Sequence, residues 1–383
     1  MISVFGSKTG QEELDEISES IQNSWLGFGP KVEKFEKSFT EKRRLNNFLM
    51  VDSGSNALYL ALTLLDLPKG SEVILPSFTW VSCAHAVLLA GLIPVFCDVD
   101  LKTQNVTVDT ISPHSGPRTG AVMVVHYAGK PVDLAPIKEL GFPIIEDAAH
   151  AVDSEYRALP CGGIGNIGVF SFDPVKNLTT GGGGGLSFRN EAHLERARKL
   201  RYCGIGKSGF QASQSTSSPL RWWEYDISEI FIKMLPSDIS AGIGLAQLKK
   251  LDSFQLHRAK IWKIYQDELK NVNWITQPAN EEANERHSYF TYFIRAPKRD
   301  QLAHYLLEKG IYTTLRYHPL HLNPIFQPYQ GNSKAGPLFL VNSEKLNQTG
   351  LNIPIHPRLS LDELEFIISN LKSFDPGRKS SKV

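Results

Sequence analysis

Three short segments of the 383-residue chain have the residue types and spacing for chemistry. The first is Asp52-Ser53-Gly54-Ser55-Asn56. Gly54 permits a tight turn, and the Ser55 hydroxyl together with the free N–H groups of a following helix makes an anion site. An ordinary turn with serine as the helix cap is the alternative. The second is IEDAAHA, in which Asp147 stands among small apolar residues. A carboxylate there is costly unless it meets a cation, and a helix-capping aspartate is the alternative. His150 taken alone reads as a packed histidine. The third is GVFSFDPVKNLTTGGGGG, where Lys176 precedes the glycine run Gly181–Gly185. A lysine becomes nucleophilic when desolvated or held near other positive groups. Packing five glycines beside a strand costs conformational entropy, which points to backbone in close approach to a ligand, with a plain flexible loop as the alternative.

Each segment needs elements to position it. Apolar runs of strand length fall at Phe48–Val51, Glu72–Leu75, Pro94–Val99, Ala121–His126, Phe142–Glu146 and Gly168–Phe172. Helical spacing falls between them, at Ser55–Leu65, Thr79–Ala90, Asp133–Leu140 and Glu191–Arg201, after an opening helix over residues 11–24. This alternation predicts an α/β domain around a mostly parallel sheet. Ligands of such sheets sit outside the carboxyl ends of the strands, which is where all three segments fall. Residues 206–219 read as an exposed polar loop and Ser237–Leu269 as a long helix. A strand at Tyr289–Arg295, a helix at Asp300–Glu308, a strand at Tyr312–Tyr317 and a helix at Ser360–Lys372 then predict a smaller α+β domain. The expected limits are 1–250 for the large domain, 251–375 for the small one and 376–383 for a disordered tail.

Several function classes are disfavoured. Lys plus Arg number 41 and Asp plus Glu 40, so net charge gives no case for nucleic acid or an anionic membrane. The four cysteines have neither CxxC-like spacing nor a histidine pair to complete a zinc pattern, so no metal is expected. They read as incidental thiols in a reducing compartment. The N-terminus lacks the basic start and apolar core of a signal peptide. The apolar stretch around Ala84–Phe96 is broken by His85, Gly91 and Pro94, too short to span a bilayer. Glycosylation sequons at Asn105, Asn177 and Asn347 then read as chance, and the chain as cytoplasmic. Gly163–Gly168 fits GxGxxG but leads into a strand rather than a helix, the opposite of a dinucleotide fingerprint.

A phosphate cradle, a carboxylate and a lysine on successive strand ends match the needs of pyridoxal 5'-phosphate (PLP): a phosphate anchor, an acid partner for its pyridinium and a Schiff-base lysine. The sequence resembles the DegT/DnrJ/EryC1/StrS family of sugar aminotransferases. The resemblance runs from WLGFGPKVEKFE to PIHPRL, with SGSNAL, PSFTWVS, VHYAGKPVDL, IEDAAHA, FSFDPVKN, AGIGLAQL, YHPLH and PIHP in family order. It implies the fold-type I PLP architecture. Lys176 is then the Schiff-base lysine and Asp147 the partner of the pyridine nitrogen. His150 stands where the family has Gln or His near the ring hydroxyl, and Trp80 where an aromatic stacks on the ring. Ser55, Asn56 and Ser171 match phosphate-holding positions, beside Gly54.

The resemblance further implies a homodimer with shared active sites, glutamate as amino donor and a nucleotide-linked keto-sugar as acceptor. The context FSFDPVKNLTT is closer to the 4-aminating branch, which favours a 4-keto-6-deoxyhexose. Two positions depart from the family pattern. Lys233 stands where an Asn reaches the partner subunit's phosphate, and Gly182 where many members have an acidic residue. Arg316-Tyr317-His318-Pro319-Leu320-His321 is read as lining the sugar nucleotide's path, through His318 and His321, or equally as a structural turn at the domain contact. The rival readings are a PLP-dependent sugar dehydratase, which has His in place of the lysine, and a catalytically silent PLP-fold regulator.

Overall fold

The computed structural model describes residues 1–206, 223–329 and 338–377. The polar loop over 207–219 and the last residues of the tail lie outside them. The strands are β1 (Leu49–Val51), β2 (Glu72–Pro76), β3 (Ile93–Cys97), β4 (Thr119–Val125), β5 (Ile144–Asp147), β6 (Glu155–Tyr156), β7 (Leu159–Pro160), β8 (Ile167–Ser171), β9 (Gly184–Phe188), β10 (Glu285–Arg286), β11 (Tyr292–Arg295) and β12 (Gly350–Ile353). Seven of them form the central sheet in the order β1-β9-β8-β5-β4-β2-β3. Strands β2, β3, β4, β5 and β8 pair in parallel, and β9 runs antiparallel to both its neighbours. Parallel strands covered on both faces read as continuous apolar runs. Accordingly β5 is buried at every residue, and so are the antiparallel β1 and β9 at the other side of the sheet.

Helix Gly54–Leu64 packs one face of the sheet with Leu58, Leu60, Ala61 and Leu64 in the largest core. Phe35 and Phe39 of helix Pro30–Arg43 pack against Phe48, Phe170 and Phe172 in a separate core. That helix opens with proline at its first position, a sequence signal for a helix start.

The helix Asp238–Leu269 is 32 residues long and runs unbroken through residue 250. Its first half (Ala241, Leu245, Leu248, Leu251) belongs to the core of helix Pro30–Arg43. Its second half (Ile261, Trp262, Tyr265, Leu269) packs in the core of β11 and β12. One helix thus serves both bodies, and position 250 is not a break in the chain. Leu320, Phe326 and Leu340 also return to the main core.

Two expected features differ. The segment Tyr312–Tyr317 is not a strand. It makes one isolated bridge among the described residues, Thr314 with Asn352 on the edge of β12 away from β11, and there the pairing stops because Arg316 N–H bonds the Asn352 side chain instead. The glycine run is not a loop throughout, since its second part forms β9.

Candidate active site

At the end of β1 the chain turns into helix Gly54–Leu64. Its N-cap is Ser53, whose Oγ accepts from Asn56 N–H at 3.2 Å. Ser53 was not among the residues expected from sequence, where Ser55 drew attention. The Ser55 hydroxyl instead meets the Ser82 hydroxyl at 2.7 Å, and the Asn56 amide donates to Asp52 Oδ1 at 2.8 Å. Ser171, at the end of β8, closes on this turn from the neighbouring side. A Cβ on Gly54 would stand 2.8 Å from Ser171 Cβ. Gly54, Ser55, Asn56 and Ser171 are therefore brought together at one helix N-terminus.

The glycines explain how. A Cβ on Gly184 would lie 2.5 Å from the Ser53 carbonyl carbon, and one on Gly185 2.8 Å from Leu49 O. Gly182 has nothing within 4 Å. The close approach read from the sequence is thus of β9 to the Ser53–Gly54 turn and β1. The glycines let the protein's own backbone stack beneath the cradle.

Asp147 is buried at the end of β5. Its Oδ1 accepts from Ala149 N–H at 2.9 Å and its Oδ2 from the Cys83 thiol at 3.2 Å, and Cys83 also meets the Thr79 hydroxyl at 3.4 Å. Among the described residues no Lys, Arg or His pairs with Asp147 within 4 Å. Cys83 was missed as a site residue. It lies four residues after Thr79, at the start of helix Ser82–Leu89, in the PSFTWVSCAH segment.

Lys176 follows β8, and its Nζ lies 4.8 Å over the Phe290 ring. Burial of the amine, then the charge of Arg316, lower its pKa to about 8, against an opposing pull from Asp147, Asp173 and Cys83. The cluster around it is aromatic. His150, 5% exposed, stacks on Phe290 with centroids 4.2 Å apart, and its Nε2 meets the Tyr317 hydroxyl at 3.0 Å. Its Nδ1 is buried with no partner among the described residues. Burial, then Lys176 and Arg316, hold His150 well below the usual histidine range, so the ring is neutral at pH 7. Trp80 is 54% exposed and tilts against Tyr317 at 5.7 Å.

Lys233 is exposed, and its backbone bridges to Tyr202 rather than to any of these groups. His318 is exposed and meets Asn347 Oδ1 at 3.2 Å. His321, 1% exposed, is bonded through Nδ1 to the Ser77 hydroxyl at 2.6 Å and through Nε2 to Glu344 at 3.4 Å. That is the geometry of a turn fastened to the main core.

These residues fit PLP. The helix N-terminus with its hydroxyls suits a phosphate, Asp147 lacks a cation, His150 has an orphaned buried nitrogen, and Lys176 carries a weakened proton. The fold and the site together define an enzyme of the PLP-dependent aminotransferase class. The chain belongs to the DegT/DnrJ/EryC1/StrS aminotransferase family, whose model matches residues 7–372.

Among similar proteins is the dTDP-4-dehydro-2,3,6-trideoxy-D-glucose 4-aminotransferase of Saccharopolyspora spinosa, 36% identical over 95% of this chain and 94% of that protein. The spore coat polysaccharide biosynthesis protein SpsC of Bacillus subtilis is 31% identical over 96% of this chain and 95% of its own length. Among solved structures, the aminotransferase TlmJ from Streptoalloteichus hindustanus superposes with a TM-score of 0.89 at 36% identity, covering 97% of this chain and 98% of that one. No helix among the described residues is long and apolar enough to cross a membrane.

Proposed function

We propose that this chain moves an amino group from glutamate to a nucleotide-linked 4-keto-6-deoxyhexose, with Lys176 as the lysine that carries PLP. The observation that carries the proposal is Lys176 itself: an amine held over the Phe290 ring at 4.8 Å, its pKa lowered to about 8 by burial and by Arg316, within the electrostatic reach of the buried Asp147 carboxylate. Bound PLP supplies an electron-withdrawing pyridinium that makes the donor's α-proton removable. Asp147 is the counter-charge for that ring nitrogen, fixed by donors on both its oxygens. The helix N-terminus at Ser53–Asn56, with Ser55 and Ser171, binds the phosphate. Neutral His150 offers its free Nδ1 as a hydrogen-bonding group at the buried face of the site. Trp80 covers the open face.

Lys176 Nζ is also the base. At pH 7 a lysine with this pKa is neutral in about a tenth of molecules, far more often than at the ordinary value of about 10.4. It is thus poised to take a proton from the donor's α-carbon and return it nearby. The same groups run the second half of the reaction on the keto-sugar, in the ping-pong order of covalent catalysis. The 4-keto position is favoured by FSFDPVKNLTT and by the similar 4-aminotransferase named above.

The site is further proposed to be completed by a second copy of the chain. Tyr225, Ile227, Ile230 and Ile232 are exposed, Ile230 at 99%, and they lead directly to Lys233. Sedimentation at the mass of two chains is the expected result. The catalytic test is to load the protein with PLP and add glutamate. A visible band should bleach, and a nucleotide-linked 4-keto-6-deoxyhexose should restore it. A band that no amino donor bleaches would favour the silent regulator instead.

A further inference from the structure

Arg316 is the charged group in the site that the reaction above leaves unused. Its guanidinium carbon lies 3.7 Å over the Phe5 ring and 5.3 Å over the Phe290 ring. Those two rings are nearly parallel, 14° apart, with centroids at 6.4 Å. Phe5 is brought there by the N-terminal segment, which pairs Ile2 with Ile311. Phe290 is also the ring that Lys176 Nζ faces at 4.8 Å. Two cations therefore share one aromatic wall, and the charge of Arg316 is felt at Lys176.

Other enclosed arginines have settled partners. Arg43 meets Asp153 at 2.7 Å, Arg196 meets Glu229 at 2.7 Å and Arg201 meets Glu36 at 2.5 Å. Arg258 donates to the carbonyls of Tyr289, Phe290 and Ile355. Arg316, half-buried, has no carboxylate within 4 Å among the described residues. Among the described residues its side chain makes one hydrogen bond, a long one of 3.4 Å to the Tyr317 hydroxyl. A guanidinium has five N–H donors in a planar fork. Stacking on aromatic rings fixes the plane of that fork without using the donors.

We infer that Arg316 anchors the α-carboxylate of the amino donor. A fork held flat and left open is built for a planar anion that arrives with a ligand. Two anions enter this site under the proposed reaction, the donor's carboxylate and the diphosphate of the sugar nucleotide. Distance from the reacting carbon separates them. The α-carboxylate is bonded directly to the carbon whose proton Lys176 takes. The diphosphate hangs from the far side of the sugar ring, several bonds from C4. An arginine that shares a wall with Lys176 meets the first and not the second. The assignment rests on the PLP reading of Lys176 and adds the donor subsite to it.

The test uses PLP-loaded protein and two probes, 2-methylglutamate, which has no α-proton to lose, and thymidine diphosphate. Arg316→Gln should weaken 2-methylglutamate binding, followed through the visible band, roughly 10- to 100-fold, the range for losing a charge-assisted bidentate pair. Thymidine diphosphate binding, followed by calorimetry, should be unchanged. Arg316→Lys, which keeps the charge but not the fork, should fall between; it also serves if the Gln variant does not fold. Wild-type affinity for 2-methylglutamate in a banded Arg316→Gln protein overturns the assignment alone. So does a loss confined to thymidine diphosphate, which would give the arginine to the sugar nucleotide. A wild-type protein with no visible band overturns the PLP reading itself.

Discussion

The thiol of Cys83 donates to Oδ2 of Asp147 at 3.2 Å, while Ala149 N–H holds Oδ1 at 2.9 Å. The carboxylate is thus pinned from two sides by donors, one of them from the helix that follows β2. Burial, together with the Asp147 charge, keeps Cys83 well above the usual thiol range, so it is present as a donor at neutral pH. Cys83→Ser, which retains a donor, should bind PLP close to wild type. Cys83→Val should weaken PLP binding roughly 2- to 10-fold, the worth of one modest hydrogen bond, measured by fluorescence titration of the PLP-free protein. Equal affinities in both variants would remove Cys83 from the site.

The lowered pKa of Lys176 has a consequence for stability in the PLP-free protein. Folding favours the neutral amine, so between the folded value of about 8 and the unfolded value near 10.4 the unfolded chain binds more protons. The burial penalty is therefore fully present below about pH 8 and fades as pH rises toward 10.4. Lys176→Met should stabilise the PLP-free protein by roughly 1–3 kcal/mol at pH 7, and the gain should shrink across that window. Denaturant melts of both proteins at pH 7 and pH 10 measure it. A gap that is constant with pH would mean that Lys176 is not desolvated.

The glycines of the run and of the Gly54 turn divide by what lies against them. Gly184→Ala drives a Cβ into the Ser53–Gly54 backbone, and Gly54→Ala drives one into Ser171. Each should cost about 1–3 kcal/mol by overpacking and weaken phosphate binding as the cradle shifts. Gly182→Ala, with open space around it, should change stability by less than about 0.5 kcal/mol. Thermal melts with and without PLP separate the three. A Gly184→Ala protein with wild-type PLP affinity would detach β9 from the cradle.

The same glycines mark the limit of what the sequence alone could show. The places of Asp147 and the Gly54 turn at strand ends, and of Lys176 just past β8, were legible as a local pattern, while the roles proposed for them came from the resemblance. Why the glycines are there was not, because the close neighbours of Gly184 and Gly185 are Ser53 and Leu49, about 130 positions earlier in the chain. Cys83 escaped for a related reason, and Arg316 was named only as the first residue of the Arg316–His321 motif, without a role of its own. A buried thiol and a lone arginine have no periodic signature, and only the fold places them beside Asp147 and Lys176. The helix Asp238–Leu269 was legible as a helix, but its role in two cores depends on which side chains each body buries. The segment Tyr312–Tyr317 had the composition of a strand, and an asparagine side chain took the bond that a ladder would have used.

His321 illustrates the opposite outcome, a residue type associated with catalysis placed where it fastens the fold. Its Nδ1 meets the Ser77 hydroxyl, and that hydroxyl also accepts from the His321 backbone N–H at 3.1 Å. Truncating the ring keeps the backbone bond but takes away the Nδ1 partner of the buried Ser77 hydroxyl. His321→Ala should cost about 2–4 kcal/mol of stability, from the lost bond and the cavity. The KM for the sugar substrate should stay within about twofold, as for a change outside the binding surface. A large rise in KM with unchanged melting temperature would return His321 to the substrate path.

The most direct measurement on Lys176 is chemical. PLP-loaded protein is treated with borohydride, digested, and its peptides weighed. The phosphopyridoxyl mass should appear on the peptide containing Lys176, in stoichiometric yield, and be absent when the protein has first been saturated with glutamate. A label on any other lysine, or none on the wild-type protein, would contradict the role given to Lys176.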